Sequence, residues 1–361
     1  RENEKRRGVC RATLMEYAPG HLLLNDHWSY TKIEEIEDAG KHDVYDMDAG
    51  EPRRFSANGV AVHNCSFCFR GATGERNYGV RSPESMLEEF KTYKTKYGVD
   101  FIGVLDDNFM VQRRRIEKLP AIWGPFMKAT GIRWGTHGRL DEAADLKPNQ
   151  VGVSEFNRPF RVDQMAEAGC AYIGFGAESA SAWVLECMGK GGFMLSNGTE
   201  HWNGYDFPRT MTEGVRNTKR AGTQANLTWI MAHPGERLQD LKNTVAFIKW
   251  QEEFYASFGH SGESVNRRLF VATAYPGTEL FKHEKVRKIL GRRFEIRYSV
   301  TGEPVCDDNL ESYVLELDDA TKVLHDATGN PIQFGEMSDD KFMEARGYVE
   351  AGKIEKILSM T

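Results

Sequence analysis

Residues 57–70 read ANGVAVHNCSFCFR, and the chain changes texture at Cys65. Before it come short strand-like pieces, at 21–24, 28–37, 43–49 and 53–62, with turn signals at 38–40, 49–52 and 58–59. Alternating apolar residues between such turns predict a compact all-β segment, with Asn58-Gly59 closing its last hairpin. After Cys68 the pattern becomes helix and strand in alternation. Ser82 and Pro83 supply an N-cap and an N1 proline for a helix that stops at Gly98. Strands are predicted at 100–107, 132–137, 171–178, 225–232 and 268–275. Helices are predicted at 112–129, 163–168, 181–188, 208–221, 237–254 and 278–289. Five β/α units in this order predict parallel strands joined by crossover helices. The last 70 residues are expected to form a hairpin over 313–332 and an amphipathic helix from 338 to about 360.

The bulk numbers exclude several classes. A length of 361 residues allows two domains or one large α/β barrel. The net charge of -6, without a basic stripe, gives no nucleic-acid footprint. No apolar run approaches the roughly 18 residues of a membrane span. Six cysteines, at 10, 65, 68, 170, 187 and 306, are too scattered for a disulfide framework, so a reducing cytoplasm is expected. Cys170 and Cys187 sit in apolar settings and read as core residues. Residues 1–8 read as a charged tail, and because the chain starts at Arg1, further sequence upstream is expected.

The left side of the junction carries a self-cleaving chemistry. An asparagine amide can attack its own carbonyl and cut the following peptide bond, given a proton donor and an oriented geometry. Asn64 is placed to cyclise, His63 to donate the proton, and the Cys65 thiol to accept an acyl group. Asp46, on a neighbouring predicted strand, is placed to orient that thiol. Residues 33–65, IEEIEDAGKHDVYDMDAGEPRRFSANGVAVHNC, resemble the C-terminal splicing region of inteins. The resemblance implies Asn64 as the cyclising residue, His63 as its assistant and Cys65 as the first downstream extein residue. Arg53 departs from the family, which usually has a histidine before the RF-like pair. Nothing in residues 1–30 fits the N-terminal splicing half, so an upstream intein half and N-extein are the implied partners.

On the right, Cys65-Ser66-Phe67-Cys68 alone would suit zinc, thiol redox or an iron–sulfur cluster. Three cysteines in Cys-x3-Cys-x-aromatic-Cys hold a [4Fe–4S] cluster with one iron open to S-adenosylmethionine. This chain has the last two cysteines, but Ala61 stands where the first should be. An intein inserted inside the motif explains the gap. The stretches RSPESMLEEF, FIGVLDDNF, IGFGAESASAWVLECMGKG, WIMAHPGERLQDLKNT and ATAYPGTELF resemble radical S-adenosylmethionine enzymes, especially the subgroup that often follows a cobalamin-binding domain. The resemblance implies a partial (β/α)6 TIM-type barrel lacking its first strand, behind a small all-β intein (Hint-like) fragment. It implies Cys65 and Cys68 as cluster ligands and Phe67 near the adenine. Asp106, Asp107 and Asn108 would hold the ligand's ammonium, Glu178 the ribose or ammonium, and Arg139 the carboxylate. The expected cofactors are a [4Fe–4S] cluster and S-adenosylmethionine, with cobalamin on an upstream domain. The expected activity, after splicing, is reductive cleavage of S-adenosylmethionine to a 5'-deoxyadenosyl radical. Ala232-His233 departs from the Gly-apolar pair usual before Pro-Gly-Glu, and the longer segment 191–207 is expected to line the substrate opening. The substrate itself is not legible.

The implied division is 1–64 for the intein fragment, 65–290 for the barrel core and 291–361 for a C-terminal extension. Two other readings compete: a self-processing module with an inert extein, and a structural zinc site on His63, Cys65 and Cys68.

Overall fold

The computed structural model describes residues 54–57, 60–63, 66–68, 80–106, 108–146, 160–259, 265–300, 302–317, 323–326 and 328–361. All of them lie in the compact unit Ala49–Thr361. The strand-like pieces predicted before residue 49 fall outside the described residues.

Two antiparallel strands, β1 (Arg54–Ala57) and β2 (Val60–His63), pair with Arg54 opposite His63 and Ala57 opposite Val60. This is the hairpin expected around Asn58-Gly59. The helix Pro83–Tyr97 follows, with Ser82 accepting from the Ser85 amide, and it stops where Gly98 adopts φ 66. That left-handed conformation favours glycine, and Gly98 returns its N–H to the Lys94 carbonyl.

The central sheet is a curled half-barrel of five parallel strands: β3 (Phe101–Gly103), β4 (Arg133–Gly138), β5 (Cys170–Glu178) and, beyond an inserted hairpin, β8 and β9. The hairpin is β6 (Thr199–Trp202) with β7 (Tyr205–Pro208), and the sheet resumes with β8 (Gln224–Met231) and β9 (Leu269–Val271). The strand order is β3-β4-β5-β8-β9. Strands covered on both faces must be apolar nearly throughout. β5, CAYIGFGAE, meets that demand, and β8 buries every second residue. The helix Leu238–Ala256 crosses from β8 to β9 and buries Leu241, Val245, Phe247 and Ile248 against the sheet. At the other end Phe109, Trp123 and Trp134 form a buried aromatic cluster, with the two tryptophan rings edge-on at 5.0 Å. Both indole N–H groups donate to backbone carbonyls, of Pro83 and Ala168, so neither ring buries an unpaired donor.

Several expectations need correction. The hairpin predicted over 313–332 is helical in its first arm. Asp307 accepts from the amides of Asn309 and Leu310 and starts the helix Asp308–Leu315, which buries Leu310 and Tyr313 at helical spacing. Among the described residues the pairing is confined to the far end, where His325 lies opposite Pro331, the Ile332 amide donates to the Leu324 carbonyl and the Asp326 amide to the Asn330 carbonyl. The last strand ends at Val271, four residues early: the Ala272 amide still donates to the Met231 carbonyl, and 273–275 continue without strand pairing to the turn at Pro276-Gly277. The helix expected from 338 runs Asp339–Glu350, breaks at Gly352 and resumes as a 3-10 turn over Ile354–Ser359. The region 278–289 is two helices, Glu279–Lys282 and Glu284–Arg293. The segment 191–207 carries a short helix, Gly192–Leu195, and the β6–β7 hairpin.

Candidate active site

Parallel strands point their C-terminal ends the same way, so the residues that end them gather at one mouth. A cavity of about 320 Å³ opens there. Phe67, Glu178, His233 and Tyr275 line it, with Thr228 and Thr273 beside an apolar floor that includes Ile230 and Val271.

The Cys-x-x-Cys turn is fastened to this mouth through Ser66. Its amide donates to the Met188 carbonyl at 2.8 Å, and its carbonyl accepts from the Leu280 amide at 2.7 Å. Its hydroxyl lies 3.4 Å from His233 Nε2. Three segments, following β5, β8 and β9, thus hold one residue of the turn. Phe67 packs on the buried cluster that includes Ala272 and Ala274, while Cys68 is exposed.

Glu178 ends β5 at φ 64, a conformation uncommon for a residue with a side chain. Its carboxylate meets Lys190 Nζ at 2.9 Å, and both side chains are nearly buried. Lys190 also donates to the Gly176 carbonyl. Gly176 is required by this arrangement, because a Cβ there would come within 2.3 Å of Glu178 Oε1. The sequence reading missed Lys190. It lies in a glycine-rich stretch with no periodic signal, and only the chain reversal after the helix Ala182–Cys187 brings it back to β5.

Arg139 is engaged by Asp141, its Nη2 lying 2.9 Å from Oδ2. Burial pushes the Asp141 carboxyl up, but the Arg139 charge and hydrogen bonds, with the charge of Lys190, outweigh it and hold the group low. Next to it Glu142 is pushed up to about 7, by burial first and by the Asp141 charge second. Asp106 is held by Arg115, 3.0 Å away, and Asn108 caps the 3-10 turn Phe109–Val111 through the Met110 amide. Asp107 falls outside the described residues. Of the residues proposed from sequence for ligand binding, the cavity therefore takes Phe67 and Glu178. Asp106, Asn108 and Arg139 sit at strand ends too, with partners of their own. Asp46, Asn64 and Cys65 lie outside the described residues, as does the side chain of His63.

His233, part of the departure noted from the usual Gly-apolar pair, is 2 % exposed and lines the cavity. Its Nδ1 faces the Pro234 carbonyl at 2.9 Å. Burial lowers it to about 4, with His283 adding to the fall and the Pro234 carbonyl opposing it, so the ring is neutral at pH 7. Ala232, before it, has φ 64, which accounts for the glycine usual at that position in the resembling family.

Glu236 follows in the same loop, fully buried, accepting from the Ala232 amide. Burial raises its carboxyl to about 8, with the Asp240 charge adding to the rise. An unfolded glutamate titrates near 4.5. Between those values the unfolded chain loses its proton first, so this group's contribution to stability is full below pH 4.5 and falls as pH rises toward 8, by up to about 1.4 kcal/mol per pH unit. Glu236→Gln keeps an acceptor for Ala232 and removes the titration. Melting temperatures from pH 5 to 8 should show the variant gaining on the parent as pH rises. A constant gap between the two would contradict the buried neutral acid.

The donors fit part of an iron–sulfur ligand set. Cys68 presents an exposed thiol at the mouth, on a turn whose next residue inward packs into the cavity wall. Cys65 is three residues earlier in sequence. Of the other described cysteines, Cys170 is buried with its thiol pushed far up by burial, burial also raises Cys187, and Cys306 is exposed in the C-terminal region. No helix among the described residues is long and apolar enough to cross a membrane.

An uncharacterized methyltransferase of Pyrococcus horikoshii, PH0819, is 27% identical over 229 residues, covering 63% of this chain and 40% of its own length. Among solved structures, the radical S-adenosylmethionine methyltransferase TsrM from Kitasatospora setae, with cobalamin and a [4Fe–4S] cluster bound, matches at TM-score 0.47 and 15% identity, over 83% of this chain and 50% of that one. The cobalamin-dependent S-adenosylmethionine radical enzyme OxsB, with aqua-cobalamin and S-adenosylmethionine bound, matches at 0.44 and 19%, over 68% and 36%. The chain thus spans half or less of these longer proteins. Residues 60–248, more than half of the chain, match the family described as the radical SAM superfamily, and the chain belongs to that superfamily.

Proposed function

We propose that this chain is the C-terminal part of a radical S-adenosylmethionine methyltransferase whose cluster motif is interrupted by an intein. The observation that carries the enzymatic reading is the meeting of Phe67, from the Cys-x-x-Cys turn, with Glu178 in one cavity at the strand ends. In this reading Cys65 and Cys68 hold the cluster with a third cysteine from an upstream segment. When bound and reduced, the cluster supplies the electron for cleavage of S-adenosylmethionine. The chain's own residues orient that ligand: Phe67 and the β8–β9 wall flank the adenine, and Glu178, set by Lys190, meets a ribose hydroxyl or the ammonium. Asp106 takes part only if it shares its carboxylate with Arg115. The name of the Pyrococcus relative supports methyl transfer. The resemblance to the cobalamin-associated subgroup supports cobalamin on a domain outside this chain.

The test is anaerobic reconstitution followed by iron, sulfide and S-adenosylmethionine binding measurements. The chain alone should hold at most a substoichiometric cluster, since two thiolates seat a cubane poorly. The chain joined to a segment ending in Cys-x3 should hold a full one that binds S-adenosylmethionine. Zinc in place of iron, or no binding in either form, would overturn the reading.

The intein half of the proposal is supported by the β1–β2 hairpin, which leads through Val62 and His63 to Asn64 and Cys65. Asp46, His63, Asn64 and Cys65 keep the roles the resemblance implies. Residues 1–30 do not fit the N-terminal splicing half, so residues 1–361 by themselves should not splice. Slow release of residues 1–64 is expected by intact mass, and Asn64→Ala should abolish it. Release that persists in Asn64→Ala would remove asparagine cyclisation from the account.

A further inference from the structure

Ser66 lies between the two thiols of the Cys-x-x-Cys turn, and both of its hydrogen-bond donors point into the protein. Its N–H is taken by the Met188 carbonyl. Its O–H faces His233 Nε2. The direction of that second bond is fixed by the histidine's other nitrogen. The Pro234 carbonyl beside Nδ1 can only accept, so Nδ1 carries the proton and Nε2 of the neutral ring presents a lone pair. Ser66 therefore donates and His233 accepts. His233 stands where the resembling family usually has an apolar residue, which could not accept this bond.

Hydrogen bonds donated to the sulfurs of an iron–sulfur cluster stabilise its reduced, more negative state and raise its potential. A serine beside a ligating cysteine is a ready source of such a bond. We propose that His233 is a positioning residue that captures the Ser66 hydroxyl and so keeps a hydrogen bond off the cluster sulfurs, holding the cluster at low potential. The proposal rests on the reading of Cys65 and Cys68 as cluster ligands. Reductive cleavage of a sulfonium needs a strongly reducing donor, and a serine hydroxyl left free to donate to a cluster sulfur would work against it. The rest of Ser66 is immobilised, with its carbonyl accepting from Leu280, so the hydroxyl rotor is the one donor at this position that a single distant side chain can switch.

The experiment is a reductive titration, followed by EPR, of the reconstituted protein carrying its upstream segment. The parent is compared with His233→Phe, His233→Gln, Ser66→Ala and the double variant Ser66→Ala/His233→Phe. His233→Phe keeps the ring volume and removes the acceptor. It should raise the ratio of reduced to oxidised cluster at a fixed solution potential roughly tenfold, the worth of one hydrogen bond to a charged group. His233→Gln restores an acceptor and should return the ratio toward that of the parent. In the Ser66→Ala background, His233→Phe should change nothing, because no hydroxyl remains to release. An equal shift with and without Ser66, or no shift in His233→Phe, overturns the proposal. Thermal melting of each variant separates a potential shift from misfolding, and His233→Leu, which also lacks an acceptor, carries the test if His233→Phe fails to fold. A parent that takes up no iron is a different result: it removes the cluster reading itself, and this inference with it.

Discussion

Glu178→Ala should destabilise the folded chain by about 3–5 kcal/mol, the usual cost of stranding one partner of a buried ion pair. The stranded partner is Lys190, whose side chain is 7% exposed and whose remaining acceptor is the Gly176 carbonyl. In a chain of this size the corresponding fall in melting temperature is on the order of 10 °C. Glu178→Gln keeps one acceptor oxygen and should lose less. Glu178→Leu combined with Lys190→Met removes both charges and should recover most of the stability, since the pair has to offset its own desolvation. S-adenosylmethionine binding should fall in all three variants, because the carboxylate faces the cavity. A loss of under about 1 kcal/mol in Glu178→Ala would mean that water reaches Lys190 and that the pair is a surface contact.

The second large effect concerns Cys68. In the completed protein Cys68→Ala should reduce iron from about four atoms per chain to a trace, because a cubane in this class loses its seat with one of three thiolates. Cys306→Ala, which removes another exposed thiol, should leave iron unchanged. The contrast separates a specific seat from adventitious uptake by any accessible cysteine. If both variants lose iron equally, or neither does, Cys68 is not a ligand.

Local signals made much of the fold legible in sequence. The helix Pro83–Tyr97 was readable because Ser82, Pro83 and Gly98 act through contacts within a few residues. β5 was readable because a strand covered on both sides must be apolar, whatever its neighbours, and β8 because Ala225, Leu227, Trp229 and Met231 alternate with a less buried face. The errors lie where tertiary contacts decide. Tyr313, Val314 and Leu317 suggest a strand by composition, but the Asp307 cap and the burial of Leu310 and Tyr313 on one face make it a helix. The same division holds for the site. Phe67 and Glu178 could be placed from a motif and a strand end. Lys190 could not, because it returns to β5 through a chain reversal with no periodic signal, and the Ser66–His233 contact could not, because its partners are 167 residues apart in sequence.

The strand order of the sheet has a consequence for synthesis. Each strand of the five-stranded sheet lies beside the sheet strand made before it, the β6–β7 hairpin standing apart. As the chain leaves the ribosome, every new strand meets a finished edge, and none has to wedge between two already paired. Parallel pairings across long crossovers close slowly, so an order that always extends one edge spares the nascent chain a stage with a gap in its middle. The edge at β3 is the one that growth never revisits. A strand delivered there later, by whatever route, would find the rest of the sheet already built.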